Sequence, residues 1–254
     1  MPDEILMEWF HLNASDEFRK ECRDRVEGYS SNETLKEASN SFMAATINAK
    51  YSYNFTWLGR PIIQYPQDII AMQEIIWQVK PDLIIETGIA HGGSLIFYAS
   101  MLELLGGGGR VVGIDIDIRR HNRVEIERHP MFRRITMIEG SSTDEKITEK
   151  VRQMAGGKRV LVCLDSNHTH EHVLRELELY APLVSVGSYC VVFDTIIEDM
   201  PKGTYSDRPW DVGNNPKTAV QAYLKEHNEF VVDEEIENKL LITVAPGGYL
   251  RRVK

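Results

Sequence analysis

Acidic residues end several apolar runs of this 254-residue chain, and their positions predict a site for cations or ligand hydroxyls. Each run has the length and composition of a buried strand. In an open parallel sheet the carboxyl ends of the strands share one edge, and ligands bind there. We therefore expect four acids to converge on that edge: Glu86, Asp115, Asp165 and Asp194.

A glycine-rich turn follows the first of these acids. Gly88 and Gly92 lie between the apolar run 83–85 and an apolar segment of helix length, 95–105. Glycines allow a tight turn and close approach of a ligand, and the next helix points free N–H groups there. The unit predicts a nucleotide-binding α/β fold. Because Ala90 replaces the second glycine of G-x-G-x-x-G, the pattern differs from a dinucleotide site, and a turn in another parallel α/β protein is the alternative.

The next two predicted strands supply candidates for the rest of a nucleotide. Asp115 ends the second strand, where an acid can accept hydrogen bonds from both ribose hydroxyls; an N-cap is the alternative. Ser141 and Ser142 follow the third strand, residues 135–139. Small hydroxyl side chains there can cap a helix or contact the adenine side of a nucleotide.

The fourth and fifth strands predict a metal site. Asp165 and Asp194 end neighbouring strands, which suits a hard divalent ion such as Mg²⁺, with two helix N-caps as the alternative. His168 follows Asp165 closely enough to accept a proton as a general base. His170 and His172 compete for that role, and capping or surface positions are open to all three.

The elements that position these residues can be read from the flanking sequence. Residues 1–50 predict an N-terminal helical extension, and 51–254 the main domain. The aromatic-rich stretch 51–66 either packs on the core or lines a ligand site. Residues 200–217 form a long polar loop that we interpret as an acceptor lid. Residues 230–232 and 240–244 predict a closing pair of strands.

Composition excludes several classes of function. The net charge of −9 and the pI near 5.4 argue against nucleic-acid or anionic-lipid partners. Three separated cysteines show no disulfide or metal spacing, which fits a reducing compartment. Neither a signal peptide nor a membrane-length apolar run is apparent, so we expect a cytoplasmic protein.

Assembled in order, these motifs resemble the cephalosporin hydroxylase and rhamnosyl O-methyltransferase family of class I S-adenosylmethionine (SAM)-dependent methyltransferases. Residues 86–94 match the family's E-x-G-x-x-x-G-x-S turn. The other stretches that carry the resemblance are 113–115, 164–168, 171–177, 180–184, 187–189, 194–195 and 249–253. It implies an α/β, Rossmann-like fold: a mostly parallel seven-stranded sheet with a C-terminal antiparallel hairpin and an N-terminal helical extension.

The resemblance also implies an activity and its cofactors. The expected reaction is O-methylation of a sugar hydroxyl on a glycolipid, polysaccharide or natural product, with SAM as donor and His168 or Asp165 as proton acceptor. Magnesium would use Asp165 and Asp194. Phe193 replaces a glutamate of some members, which leaves the metal site either weaker or completed by Thr195, water and substrate. The residues expected to bind SAM are Glu86, Gly88, Gly92, Ser94, Asp115, Ser141, Ser142 and Asp165.

Two alternatives belong to other classes of function. One is an NAD-dependent oxidoreductase, against which Ala90 argues. The other is a non-catalytic scaffold with the same fold, against which the four strand-end acids argue. The helical extension also makes a homo-oligomer plausible, because such segments often bury an apolar face on another subunit.

Overall fold

Helices and strands alternate along most of the chain in the computed structural model, which describes the backbone of residues 2–254 and the side chains of residues 16–254. In chain order the elements are α1 (Pro2–Tyr29), α2 (Glu33–Asn48), β1 (Phe55–Trp57), β2 (Arg60–Ile62), α3 (Pro66–Val79), β3 (Leu83–Thr87), α4 (Gly93–Leu105), β4 (Arg110–Asp115), α5 (Arg120–Arg128), β5 (Ile135–Glu139), α6 (Glu145–Ala155), β6 (Val160–Leu164), α7 (His170–Tyr180), β7 (Tyr189–Val192), α8 (Pro216–Glu226), β8 (Phe230–Val232), α9 (Glu234–Leu240) and β9 (Tyr249–Arg252).

The central sheet has seven strands in the order β5-β4-β3-β6-β7-β9-β8. Strands β3 to β7 pair in parallel, and β9 pairs antiparallel with both β7 and β8. The predicted α/β fold, mostly parallel with antiparallel strands at the C-terminus, is therefore confirmed. The order changes direction beside β3, the strand that precedes the glycine turn, and open α/β sheets bind ligands at such a position.

The sheet is buried on both faces, as an all-apolar strand pattern predicts. Every residue of β3 and β6 is buried. One face packs under α3 and α4, where Ile76 and Leu95 belong to the core, and the other face packs against α7 and α8, where Leu177 and Tyr223 belong to a second core. The rigid layer between them holds the carboxyl ends of the strands in register.

One of the strands predicted from the sequence is wrong. Residues 240–244 were expected to form the second strand of the C-terminal pair, but Leu240 ends α9 and the pairing strand is β9. The segment between them instead crosses the buried end of α3, where residues 243 and 244 donate hydrogen bonds to the Asp68 side chain of that helix. Apolar composition alone did not distinguish this buried connection from a strand.

The N-terminal helices are present. Asn32 caps α2, accepting a hydrogen bond from the N–H of Leu35 at 3.1 Å. Met43 of α2 joins the core, and the hydroxyls of Thr46 and Tyr65 lie 2.8 Å apart. The division into a 1–50 extension and a 51–254 domain stays a prediction. Among the helices that the structure describes, none is long and apolar enough to cross a bilayer.

Asp68 anchors the C-terminal segment to α3. Its side chain is fully buried and accepts hydrogen bonds from the Thr243 hydroxyl, the Val244 N–H and the Tyr249 hydroxyl. Burial raises the pKa of Asp68 to about 6, although these three donors favour the charged form. The carboxylate therefore fixes the position of β9 at the edge of the parallel strands.

Replacing Asp68 by alanine should destabilise the protein by at least about 3 kcal/mol, because three buried donors lose their acceptor. Urea unfolding followed by circular dichroism measures the change. Glu74→Ala is the matched control: it also removes an α3 carboxylate that contacts the C-terminal region, through Lys239, but this pair is exposed and should contribute less than about 1 kcal/mol. Equal effects of the two substitutions would contradict the anchoring role.

Candidate active site

A cavity of about 700 Å³ opens beside the carboxyl ends of β3, β4 and β6. This volume is within the range of small-molecule sites, roughly 300–1,000 Å³. The residues expected to bind SAM that line it are Gly88, Asp115, Ser141, Ser142 and Asp165. The cavity also contains residues that the sequence reasoning did not assign to the cofactor, Ser166 and His172 among them.

The glycine turn forms one wall of the cavity. Gly88 has φ +91°, and a Cβ there would lie 2.0 Å from the Asp165 carbonyl oxygen, so only glycine fits. Asp115 stabilises the turn because its carboxylate accepts the N–H groups of Ile89 and Ala90 at 2.8 and 3.2 Å. It does not cap α5, whose N-cap is Arg119. The ribose-binding role of Asp115 stays a prediction, and the residue is in the cavity wall.

Three of the predicted cofactor residues do not line the cavity: Glu86, Gly92 and Ser94. Glu86 is buried and accepts a hydrogen bond from the Ser94 hydroxyl at 2.8 Å, which links β3 to α4. A Cβ on Gly92 would meet the Ile126 side chain at 2.3 Å, so this glycine permits close packing of α5. Their contact with a cofactor is not tested by this geometry.

Glu86 is a buried acid whose pKa lies above its usual value. Its pKa is raised to about 8, mainly by burial, with a smaller contribution from the charge of Asp115, while hydrogen bonds from Ser94 and Tyr98 act in the opposite direction. At neutral pH the folded protein therefore favours the protonated carboxyl.

Beside the cavity, the side chains of Asp165, His168 and Asp194 converge. One ligand atom of each lies within 4.8 Å of the others, and His168 Nε2 is 3.3 Å from Asp194 Oδ2. Asp165 follows β6 and Asp194 follows the adjacent strand β7, where a left-handed backbone (φ +56°) turns the chain. The sequence predicted the two acids as metal ligands, and the structure adds an imidazole to the cluster.

Electrostatics make this cluster suited to a cation. Burial raises the pKa of Asp165 well above its usual range, and the charge of Asp194 adds to the effect. Part of the Asp165 side chain nevertheless remains reachable from the cavity, so a ligand can contact it. A divalent ion would offset both the burial of the Asp165 charge and its repulsion by Asp194. Carboxylate oxygens are among the ligands that Mg²⁺ prefers. The donor set therefore fits such an ion.

The two residues that flank Asp194 contribute no carboxylate. Phe193 is buried in the core, where its apolar ring packs against other apolar side chains. Thr195 is buried too, and its hydroxyl donates to the Pro246 carbonyl at 2.9 Å. The predicted role of Thr195 as a metal ligand stays untested, and the observed bond engages the hydroxyl elsewhere.

The loop between Met200 and Asn215 covers the cluster from one side. The Trp210 ring meets the His168 ring edge to face, with centroids 4.7 Å apart. The base of the loop is anchored because Glu198 accepts hydrogen bonds from Gly213 N–H and the side chain of Asn215, which is fully buried. The acceptor-lid interpretation stays a prediction, now with Trp210 as the residue that reaches the cluster.

The aromatic stretch 51–66 mainly packs on the core. Tyr51 lies 5.0 Å from Phe55 and 5.4 Å from Tyr65 between ring centroids. Trp57 packs edge to face on Phe97, and its indole N–H donates to the Ser100 hydroxyl at 2.9 Å. Of the two readings of this stretch, core packing accounts for these contacts.

Comparison with known proteins agrees with the motifs. The family model for rhamnosyl O-methyltransferase/CmcI matches residues 49–253. A rhamnosyl O-methyltransferase of Mycobacterium bovis (strain BCG / Pasteur 1173P2) is 33% identical over 204 residues, which cover 78% of each chain. A second such protein, from Mycobacterium leprae (strain TN), is 32% identical over 202 residues, covering 78% of this chain and 82% of its own.

Solved structures share the fold at lower identity. The Mg-SAM form of CmcI is 20% identical with a TM-score of 0.58, and covers 80% of this chain and 78% of its own. At that identity the similarity is one of fold.

Replacing Glu86 by glutamine should remove a pH dependence of stability. The unfolded chain loses this proton near pH 4.5 and the folded protein near pH 8, so the contribution of Glu86 is fully present below 4.5 and is lost as the pH rises to about 8. Glu86→Gln should therefore gain stability relative to the wild type between pH 5 and pH 8.5, on the order of 4 kcal/mol.

Denaturant unfolding at several pH values measures this difference. Glu139→Gln, at an exposed strand end, is the control and should follow the wild-type profile. If Glu86→Gln runs parallel to the wild type across the whole range, the buried carboxyl does not titrate as described.

Proposed function

The chain belongs to the rhamnosyl O-methyltransferase/CmcI family of SAM-dependent methyltransferases, and on this premise we propose that it transfers a methyl group from SAM to a sugar hydroxyl. The proposal rests on the position of Asp165, which belongs to two parts of the site. This residue lines the cofactor cavity and belongs to the cluster with His168 and Asp194. A donor in the cavity and an acceptor at the cluster would therefore meet at Asp165.

The acceptor class rests on the relatives. The proteins that are 32–33% identical over most of their length are rhamnosyl O-methyltransferases. We propose a sugar hydroxyl carried by a glycolipid, a polysaccharide or a natural product. The NAD-dependent alternative is not favoured, because the family is one of methyltransferases and Ala90 interrupts the dinucleotide pattern.

We propose that Asp165 and Asp194 hold Mg²⁺. Their position on adjacent strand ends and the raised pKa of Asp165 support this assignment, as does the Mg-SAM form of the CmcI relative. A bound Mg²⁺ would lower the pKa of an acceptor hydroxyl and orient its oxygen. Thr195 stays a candidate ligand only if its bond to Pro246 opens.

His168 is the proposed proton acceptor. Its Nε2 lies 3.3 Å from Asp194, and the Trp210 ring limits the motion of the imidazole. The acceptor oxygen would attack the methyl carbon, the carbon–sulfur bond would break, and the hydroxyl proton would pass to His168 Nε2 or to Asp165. Because the sulfonium is already a strong electrophile, positioning by these side chains supplies much of the rate.

Two further expectations from the sequence have no structural test and stay predictions. One is a cytoplasmic location, and the other is self-association through the helices of residues 1–50. Size measurement by light scattering, with and without those residues, tests the second.

Replacing Asp194 by asparagine should separate binding from turnover. The residue is in the cluster but does not line the cavity, so the dissociation constant for SAM should change less than about threefold while methyl transfer falls at least about 100-fold. Calorimetric titration with SAM and a sugar-acceptor assay, with and without Mg²⁺, measure both quantities.

Asp207→Asn is the matched control, because Asp207 is an exposed aspartate of the covering loop. It should retain both binding and turnover. Wild-type turnover in Asp194→Asn, or full activity of the native protein after removal of divalent ions, would count against the proposed site.

Replacing Trp210 by alanine should reduce turnover about tenfold with unchanged SAM affinity, because the His168 ring loses its edge-to-face neighbour. Trp210→Phe keeps an aromatic ring and should recover most of the activity. Steady-state kinetics with thermal unfolding as a check on folding measures the effect. If the alanine variant turns over like the wild type, the loop does not position His168.

A further inference from the structure

A histidine and a glutamate on α7 have no role in the proposed reaction, although both belong to the 171–177 stretch that carries the family resemblance. His172 and Glu176 are four residues apart and therefore face the same side of the helix. Glu176 is completely buried, and such a residue is almost never buried without partners. Polar partners of these two side chains must therefore lie close by.

The pair connects to two serines. The Ser166 hydroxyl donates to Glu176 Oε1 at 2.7 Å. His172 Nε2 lies 3.4 Å from the same oxygen, 3.2 Å from Ser166 Oγ and 3.1 Å from Ser142 Oγ. Glu176 Oε2 has no partner among residues 16–254. The carboxylate is thus held by one hydroxyl and one imidazole nitrogen.

This network reaches the wall of the cofactor cavity at Ser142, which follows β5, and at Ser166, which follows Asp165. Ser142, Ser166 and His172 line the cavity, whereas Glu176 lies behind them. Ser142 follows β5, at the far edge of the parallel strands, next to the β4 end that carries Asp115. The Tyr180 hydroxyl donates to the Ser142 carbonyl at 2.7 Å and fixes this residue. If Asp115 holds the ribose, Ser142 is placed for the base.

The hydrogen bonds have one consistent direction. Because the Ser166 proton is given to Glu176, the Ser166 oxygen can only accept from His172, so Nε2 carries a hydrogen. The same N–H also faces Ser142 Oγ, so this oxygen accepts a hydrogen bond from the imidazole. The Ser142 proton has no acceptor within this network and is free to be donated into the cavity.

We propose that His172 and Glu176 are positioning residues that orient the Ser142 hydroxyl as a hydrogen-bond donor to N1 of adenine, and thereby make the site select adenine over hypoxanthine. Adenine N1 is an acceptor, whereas hypoxanthine N1 carries a hydrogen and cannot accept. The inference deepens the proposed function and rests on SAM being bound in this cavity.

Isothermal titration of the full chain with S-adenosylhomocysteine and with S-inosylhomocysteine tests the proposal. The wild type should bind the adenine ligand at least about tenfold more tightly, the size expected when a buried polar group loses its partner. Glu176→Gln should reduce this ratio to within about threefold. Without the carboxylate charge, His172 can take the tautomer whose Nε2 accepts a hydrogen bond, so that Ser142 donates its proton to His172 instead of into the cavity.

Ser142→Ala removes the donor without touching the buried carboxylate and should also reduce the ratio to within about threefold, which keeps the test valid if Glu176→Gln fails to fold. His227→Gln is the matched control, because His227 pairs with Glu229 at 3.0 Å and is not in the cavity wall. Its selectivity should equal that of the wild type.

The outcomes are distinct. Wild-type selectivity in either Glu176→Gln or Ser142→Ala overturns the inference and leaves the proposed function intact. An equal loss of affinity for the two ligands does the same, since a purely structural role weakens both alike. Failure of the wild type to bind S-adenosylhomocysteine overturns the proposed function, and the inference with it.

Discussion

Two carboxylates at the ends of adjacent parallel strands, Asp165 and Asp194, face each other across a partly buried space. Burial raises the pKa of Asp165 well above its usual range, and repulsion by the like charge of Asp194 adds to the effect. Only a tightly packed scaffold can hold them together. The buried strands β6 and β7 and the Asp68 anchor that fixes β9 beside β7 provide it.

The same strand ends divide the site into two parts. On one side, Ser142, Ser166 and His172 present hydroxyl and imidazole groups to the cavity, with Glu176 behind them. Towards β7, Asp194 and His168 present a charged cluster closed by Trp210. Asp165 lies between the two parts and lines the cavity of the first. In the proposed reaction, cofactor binding and methyl transfer would therefore respond to different substitutions, although one layer of strands supports both parts.

Much of this arrangement follows from the sequence, because strand, glycine turn and strand-end acid are local patterns. The strand ends at Asp115 and Asp165 and the positive φ at Gly88 depend on residues close in the chain. The contacts missed were long-range. The crossing of residues 243–244 over Asp68, and the meeting of Ser142 with His172, depend on how α3 and α7 pack, which apolar periodicity does not encode. The motif at 171–177 was visible, but its partners were not.

A crystal structure with Mn²⁺ and S-adenosylhomocysteine would test the central claim most directly, because the anomalous signal locates the ion independently of the protein. We expect a peak within direct coordination distance, about 2.0–2.6 Å, of carboxylate oxygens of both Asp165 and Asp194, with the nucleoside in the cavity and its base against Ser142. A peak away from this pair, or a nucleoside bound outside the cavity, would contradict it.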